Sequence, residues 1–363
     1  MPNEAFSIEI EGEELTDIYA DVLSLQVELD EEMMAMARLQ LFIVLQDDGS
    51  WTHLDDDNFS LWNNLEVNAG FDDEMEPLFS GPITHLKPVF DSDPSQCMLE
   101  LWAMDKSVLL DREEKLKDWP DKKDSDIAQE IFAEYSLSAE VEDTSIIHDQ
   151  AVSTIIQRET DMQFLRRLAL RNGYECFVEG DTAYFRPPQL DEDPQPVLSA
   201  HFGADTTLSE FSAEVDAQIP ANVSVHQIDR MNKEVISVDI DSSQQTTFGG
   251  SDASALLPTG GSAAKSVLSR TATTGEAEMT SVAQGLFHRS EWFVSSEGMV
   301  DANIYRHVLK PRRTVTVRGV GETYSGIYYV THVAHIFDRD GYRQAFRAKR
   351  NAIMPSGTES FDG

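Results

Sequence analysis

Apolar and polar positions alternate with a period of two through most of residues 5–105. Phe6-Ser7-Ile8-Glu9-Ile10 shows the pattern at its clearest, and further runs follow at Val22–Leu29, Ala37–Leu45, Leu65–Ala69, Leu78–Pro88 and Met98–Met104. Alternation of this kind places every second side chain on one face of a strand. Glu11-Gly12 and Asp48-Gly49 supply turns, and Gly81 suits a bulge or a barrel corner. Several short strands separated by turns predict a compact antiparallel barrel or sandwich.

The period then changes. Residues 113–123 are highly charged and carry Pro120, which reads as a linker or exposed loop. Asp124 or Ser125 can cap a helix whose stripe is Ile127, Ala128, Ile131, Phe132 and Tyr135. Thr160 or Asp161 caps another, in which Leu165, Leu168 and Ala169 recur at helical spacing. Arg166, Arg167 and Arg171 fall largely off that stripe and crowd the helix C-terminus, where the backbone dipole favours cations. An exposed, solvated role and an interface role both fit the Arg166-Arg167 pair. Asn172-Gly173 offers the left-handed residue that commonly ends a helix. Two strands follow, Tyr174–Val178 and Thr182–Phe185, joined by Glu179-Gly180-Asp181 and stopped by Pro187-Pro188. The order is helix, strand, helix, hairpin.

After the proline-rich acidic connector 188–196 the alternation returns. Asn222–Ile228 and Glu234–Ile240 predict a hairpin. Residues 248–275 are rich in Gly, Ser, Ala and Thr and read as a long mobile arm ordered on assembly. A helix over 276–290 buries Met279, Val282, Ala283, Leu286 and Phe287, and Arg313–Arg318, Gly326–Phe337 and Tyr342–Arg350 are closing strands. The fold class is therefore α+β and mainly β. Three domains are expected: β over 1–112, α+β over 113–199, and β over 200–363.

With 65 Asp and Glu against 28 Lys and Arg, the net charge is −37. That balance argues against nucleic-acid binding, which needs clustered cations. It fits a solvated acidic surface suited to a saline host, or the lining of a channel through which DNA slides without sticking. Cys97 and Cys176 lie in different expected domains, so each is read as a small buried hydrophobe outside any disulfide or metal site. No apolar run reaches the roughly 18–20 residues of a membrane span. The N-terminus lacks the features of a signal peptide, so synthesis and assembly in a cytoplasm are expected.

Residues for chemistry do not assemble into a known pattern. His332 and His335, three apart in a strand, point to opposite faces. Asp55-Asp56-Asp57 begins like a calcium loop, but Phe59 and Ser60 occupy a ligand position and the obligatory glycine. Gly319-Val320-Gly321 has Tyr324 where a dinucleotide fingerprint needs its third glycine, and it sits among strands. Gly260-Gly261 with Lys265-Ser266 has the wrong spacing for a phosphate loop. Carboxylates are too numerous for any pair to be informative. No catalytic residue, metal site or cofactor is assigned.

The segment Glu159–Pro188, ETDMQFLRRLALRNGYECFVEGDTAYFRPP, resembles a signature of the phage late control D family, tail and baseplate hub proteins similar to the hub half of type VI secretion spike proteins. Asp161, Phe164, Leu165, Leu168, Gly173, Tyr174 and Phe185 carry this match. LFSGPITHLKPVF (78–90) resembles the family's first-barrel strand at Gly81, and AMDKSVLLDR (103–112) its exit from that barrel. GVGETYSGIYYVTHVAHIFDRDGYRQAFRAKRN (319–351) resembles its last barrel at Gly319, Gly326 and Tyr329. Arg312, after Pro311, departs from the pattern, which places a turn glycine there.

The resemblance, spanning residues 5–351, implies two tube-forming antiparallel β-barrel domains with an α+β insert. It implies a homotrimeric ring that adapts a six-fold tail tube to a three-fold spike. Implied partners are the tail tube protein, a spike on a separate chain and other baseplate proteins, with DNA passing through the channel unbound and no membrane. The implied location is the virion tail baseplate, assembled in the host cytoplasm, and the role has no enzymatic step. Other readings are the hub of an injection or secretion machine with protein cargo, a tail-associated cell-wall hydrolase, and an acidic carbohydrate-binding protein using Trp51, Trp62 and Trp119.

Overall fold

In the computed structural model the described residues are 4–71, 74–152, 154–218, 222–228, 232–256, 264–268, 273–357 and 359–361. The first β half holds β1 (Glu4–Ile10), β2 (Glu13–Glu14), β3 (Val22–Asp30), β4 (Met36–Phe42), β5 (Asn64–Phe71), β6 (Glu74–Val89) and β7 (Met98–Met104), followed by the single turn α1 (Ser107–Leu110). Its alternating residues Leu25, Val27, Leu39, Leu41, Val67, Leu99 and Leu101 are buried in one core. Glu11 and Gly12 both adopt positive φ and turn β1 into β2.

Gly81 marks the corner of this half. The long β6 pairs with β5 through residues 74–82 and with β7 through 83–89, so it changes partner just past the glycine. A Cβ there would lie 2.0 Å from the Met104 carbonyl oxygen, which only glycine avoids.

The insert contains β8 (Lys117–Trp119), α2 (Asp124–Glu134), β9 (Ser138–Val141), β10 (Ile155–Gln157), α3 (Asp161–Asn172), β11 (Glu175–Glu179) and β12 (Thr182–Arg186). Thr160 caps α3 by accepting from the Gln163 N–H, and Gly173 ends it at φ +69°. Two expectations are corrected here. The charged stretch 113–123 is no free linker: β8 pairs with β10, and Trp119 is buried, stacked on Phe164 with its indole N–H 3.2 Å from Gln157 Oε1. The N-cap of α2 is Lys123, one residue earlier than expected, with Asp126 returning its carboxylate to the Lys123 N–H.

The second β half holds β13 (Gln195–Ser199), β14 (Leu208–Val215), β15 (Asn222–Ile228), β16 (Val235–Ile240), β17 (Ser251–Asp252), β18 (Lys265–Leu268), α4 (Glu276–Ser290), β19 (Val294–Asp301), the turn α5 (Ala302–Tyr305), β20 (Thr314–Arg318), β21 (Gly326–Asp338), β22 (Gly341–Arg350) and β23 (Ala352–Ile353). Within 248–275 the described residues are tied down. Phe248 is buried, β17 pairs with β23, and β18 runs parallel to β15. Arg350 explains the first anchor: fully buried, it donates to the carbonyls of Phe248, Ser325 and Met354. Residues 257–263 and 269–272 of the expected arm lie outside the described residues.

The two halves share one sheet, antiparallel along the order β14-β19-β22-β21-β3-β4-β7-β6-β5-β1-β2, with β20 branching from β21 and β13 lying parallel to β20. The join is the β21–β3 ladder, His332 opposite Asp30 through to Phe337 opposite Leu25. Phe337 and Tyr342 consequently lie in the first half's core, stacked 4.2 Å apart, with Phe6 5.0 Å and Phe71 5.8 Å from one or the other ring. The fold is α+β, mainly β, with an α+β insert between two β halves.

Candidate functional site

The insert meets the second β half through polar groups. Helix α3 packs on α4 where Gly173 faces Gly285, so close that a Cβ on Gly285 would lie 2.8 Å from the Gly173 nitrogen. A glycine inside a helix costs about 1 kcal/mol relative to alanine. Backbone contact accounts for its presence. Beside it, Arg171 pairs with Glu278 of α4, and His148 Nε2 lies 2.9 Å from Asp124 Oδ1. Asn172 donates to Asp124 Oδ2 at 2.7 Å, and the Thr274 hydroxyl to Glu278 at 2.8 Å. Asp124, His148 and Glu278 are all buried. Burying charges costs several kcal/mol each unless partners satisfy them, and this set is mutually paired.

At the hairpin, the Tyr329 hydroxyl donates to Glu175, which is buried and leaves Oε2 without a partner. Burial pushes the Glu175 carboxyl up to about 7, helped by Glu31 and opposed by the Tyr329 hydrogen bond, Arg312 and Lys349. Arg312 stands at φ +60°, the left-handed region that a turn glycine would occupy. The turn is there, and the arginine tolerates it. Its guanidinium lies 3.8 Å from the Phe177 ring centroid and donates to the Asp30 carbonyl, tying insert, second half and first half together.

Two clefts flank this seam. One, of about 500 Å³, is lined by Arg166, Tyr174, Glu175, His288, Trp292 and Lys349. The other, of about 230 Å³, is lined by Phe79, Phe177, Arg186, Lys310, Arg312 and Arg313.

The residues singled out from sequence fall into two places. Phe164, Leu165, Leu168 and Phe185 share the insert core with Cys176, and Tyr174 meets Phe185 edge-on at 5.4 Å. Asp161, buried at the start of α3, accepts from Lys115, from the Tyr135 hydroxyl at 2.6 Å and from Gln157 at 2.7 Å. Burial alone would raise its pKa, but these bonds outweigh it and hold the carboxyl below its ordinary range. Tyr329 joins them through Glu175. Gly81, Gly319 and Gly326 lie apart in the β halves. A Cβ on Gly319 would meet the Ala200 carbonyl oxygen at 1.9 Å, and one on Gly326 the Arg350 guanidinium at 2.4 Å.

Other candidates for chemistry stay dispersed. Cys97 and Cys176 are buried free thiols, and burial pushes Cys176 up to about 12. His335 is buried against the Tyr342 hydroxyl at 2.8 Å, and burial, with Lys310 adding, pulls it down to about 3. Asp56 of the acidic run merely caps a short turn through the Asn58 N–H. Trp51 packs on Phe90, Trp62 lies under Arg112 and Trp119 is in the insert core. Among the described residues no group of His, Cys, Asp and Glu could hold a metal ion, and no helix is long and apolar enough to cross a membrane.

The family model of the Alg8 N-terminal domain matches residues 3–338. The chain belongs to the Alg8 N-terminal domain family. The chain is also similar in fold to solved tail proteins. One is the 43 kDa tail protein of prophage MuSo2 from Shewanella oneidensis, with TM-score 0.71 and 12% identity, over 97% of this chain and 100% of that one. Another is the tail protein from Neisseria meningitidis MC58, with TM-score 0.67 and 14% identity, over 97% and 98%. A third is an E. coli component of the type VI secretion system, itself described as structurally similar to T4 bacteriophage tail proteins, with TM-score 0.59 and 13% identity, over 96% and 79%. At these identities the likeness is one of fold. No curated protein matches this chain in sequence.

Proposed function

We propose that this chain is a structural hub of a phage or phage-like tail baseplate, of the late control D type. Three copies form a ring around a channel and adapt a six-fold tube to a three-fold spike carried by a separate chain. The observation that carries the reading is the end-to-end match of fold with the prophage tail protein, in which neither chain has a large part left over. Two β halves joined in one sheet suit a trimer whose ring presents six similar β units, and closed cyclic symmetry is an ordinary way to build it. The proposed role is adaptor geometry with no covalent step. Its place is the tail baseplate, beside the tube and the other baseplate proteins.

Electron microscopy of the purified protein, with mass from light scattering on the same sample, tests this. Three-fold rings with a central hole are expected, either alone or on mixing with the candidate spike. A compact monomer under both conditions would overturn the proposal. A second reading, the hub of an injection or secretion machine with protein cargo, is favoured by the likeness to the type VI secretion component. Neighbouring genes for capsid and terminase would exclude it.

A further inference from the structure

In a chain with 65 carboxylates and 28 cations, a cluster of cations in one cleft stands out. Two stand side by side at the smaller cleft. Arg313 is exposed and makes no ion pair or side-chain hydrogen bond among the described residues, while Arg312 reaches only the backbone carbonyls of Asp30 and Glu31. Arg186 enters from the hairpin, 4.5 Å over Tyr184 and 5.8 Å from the Phe177 ring, with Glu140 no closer than 4.0 Å. The Nε atoms of both Arg186 and Arg312 are buried without a hydrogen-bond partner. Lys310 completes the set, although Glu76 already engages it at 2.7 Å.

Buried Asp105 and Glu175 both feel the charge of Arg312, but among the described residues no carboxylate forms an ion pair with Arg312 or Arg313. Asp105 turns its oxygens to the N–H groups of Ala35 and Ser107, and burial raises its pKa. Glu179 and Glu192 are exposed on the rim. The walls between the cations are apolar, formed by Leu78, Phe79, Phe177 and Val178. Planar guanidiniums over an aromatic floor are suited to carboxylate recognition. At about 230 Å³ the cleft is below the range of cofactor-sized pockets, yet has room for one or two side chains. Nucleic acid would be repelled by the net charge of −37, whereas a short peptide brings few charges to that field.

We infer that this cleft is a docking site for a short acidic segment of a partner protein, a carboxylate of which is received between Arg312, Arg313 and Arg186 above Phe177. The site stands independently of the hub reading.

Fluorescence anisotropy on the full chain at low salt tests it, with a labelled acetyl-(Asp-Glu)3 peptide as probe and acetyl-(Asn-Gln)3 as neutral control. Saturable binding of the acidic peptide alone, weakening with added salt, is expected. Arg313→Glu should lower affinity at least tenfold with an unchanged melting temperature. Arg339→Glu, the same change in net charge at an exposed turn, should lower it less than twofold. Equal losses in the two variants would reduce the effect to long-range charge and overturn the site. So would undiminished binding by Arg313→Glu. Displacement of the peptide by inorganic phosphate at equal concentration would also overturn peptide docking, leaving a plain anion site.

Discussion

The two seams of this molecule are built from opposite materials. Between the β halves, β21 adds to β3 as another strand of the sheet, and an aromatic cluster of Phe6, Phe71, Phe337 and Tyr342 closes over the join. Between the insert and the second half, the contacts include a glycine pair, charge pairs on Glu278, the Tyr329–Glu175 hydrogen bond and Arg312 over Phe177. A ladder with an apolar core cannot be parted without exposing both cores to water. A charged seam loses far less on parting, because water can solvate its groups. On this contrast the β halves are expected to unfold together and the insert to part first.

Two substitutions should separate the seams, each costing about 3–5 kcal/mol. Arg171→Met leaves Glu278 and Asp124 buried with their cation gone. In calorimetry the insert should then melt in its own earlier transition. Phe337→Ala removes an aromatic from the shared core. Here a single transition should move down as a whole. If Phe337→Ala split the transition and Arg171→Met did not, the contrast would be reversed.

Glu175 sharpens the comparison through pH. With its carboxyl raised from 4.5 to about 7, the folded protein keeps a proton that the unfolded chain releases. Its cost is absent below about pH 4.5, grows as pH rises, and is complete above about 7. Glu175→Gln should therefore stabilise the protein at pH 8 by up to roughly 3 kcal/mol, at 1.36 kcal/mol per pKa unit, and change nothing at pH 4. Denaturant melts at the two pH values check this, and an equal gain at both would exclude titration as its cause. The smallest effect belongs to the exposed Arg167–Glu159 pair. Arg167→Ala should shift stability by less than about 1 kcal/mol.

The same contrast governs what can be read from the sequence. The apolar seam is legible because alternation reports burial: β3 and β4 follow directly from every-second-residue apolar positions. Helix α3 was legible at both ends, since Thr160 and Gly173 are local signals. The charged seam left no such trace. Arg171 reads only as a cation off the apolar stripe that suits the helix C-terminus, and its partner Glu278 belongs to another element far along the chain. Strand β8 was missed because Trp119 is one apolar residue among charges, and only its pairing with β10 buries it. Arg312 had an indirect signal, the glycine expected at its position, which marked the backbone but not the guanidinium stacked on Phe177.

The ladder between β3 and β21 also carries a schedule. His332 and Asp30 are opposite each other, so roughly 300 residues must leave the ribosome before β3 meets its second neighbour. At about 5–20 residues per second, that strand waits on the order of 15–60 s with one edge open. An open edge is a template for pairing with any passing strand. Molecules cut short before β21 should therefore be lost to aggregation, whereas those that finish translation close the sheet on themselves.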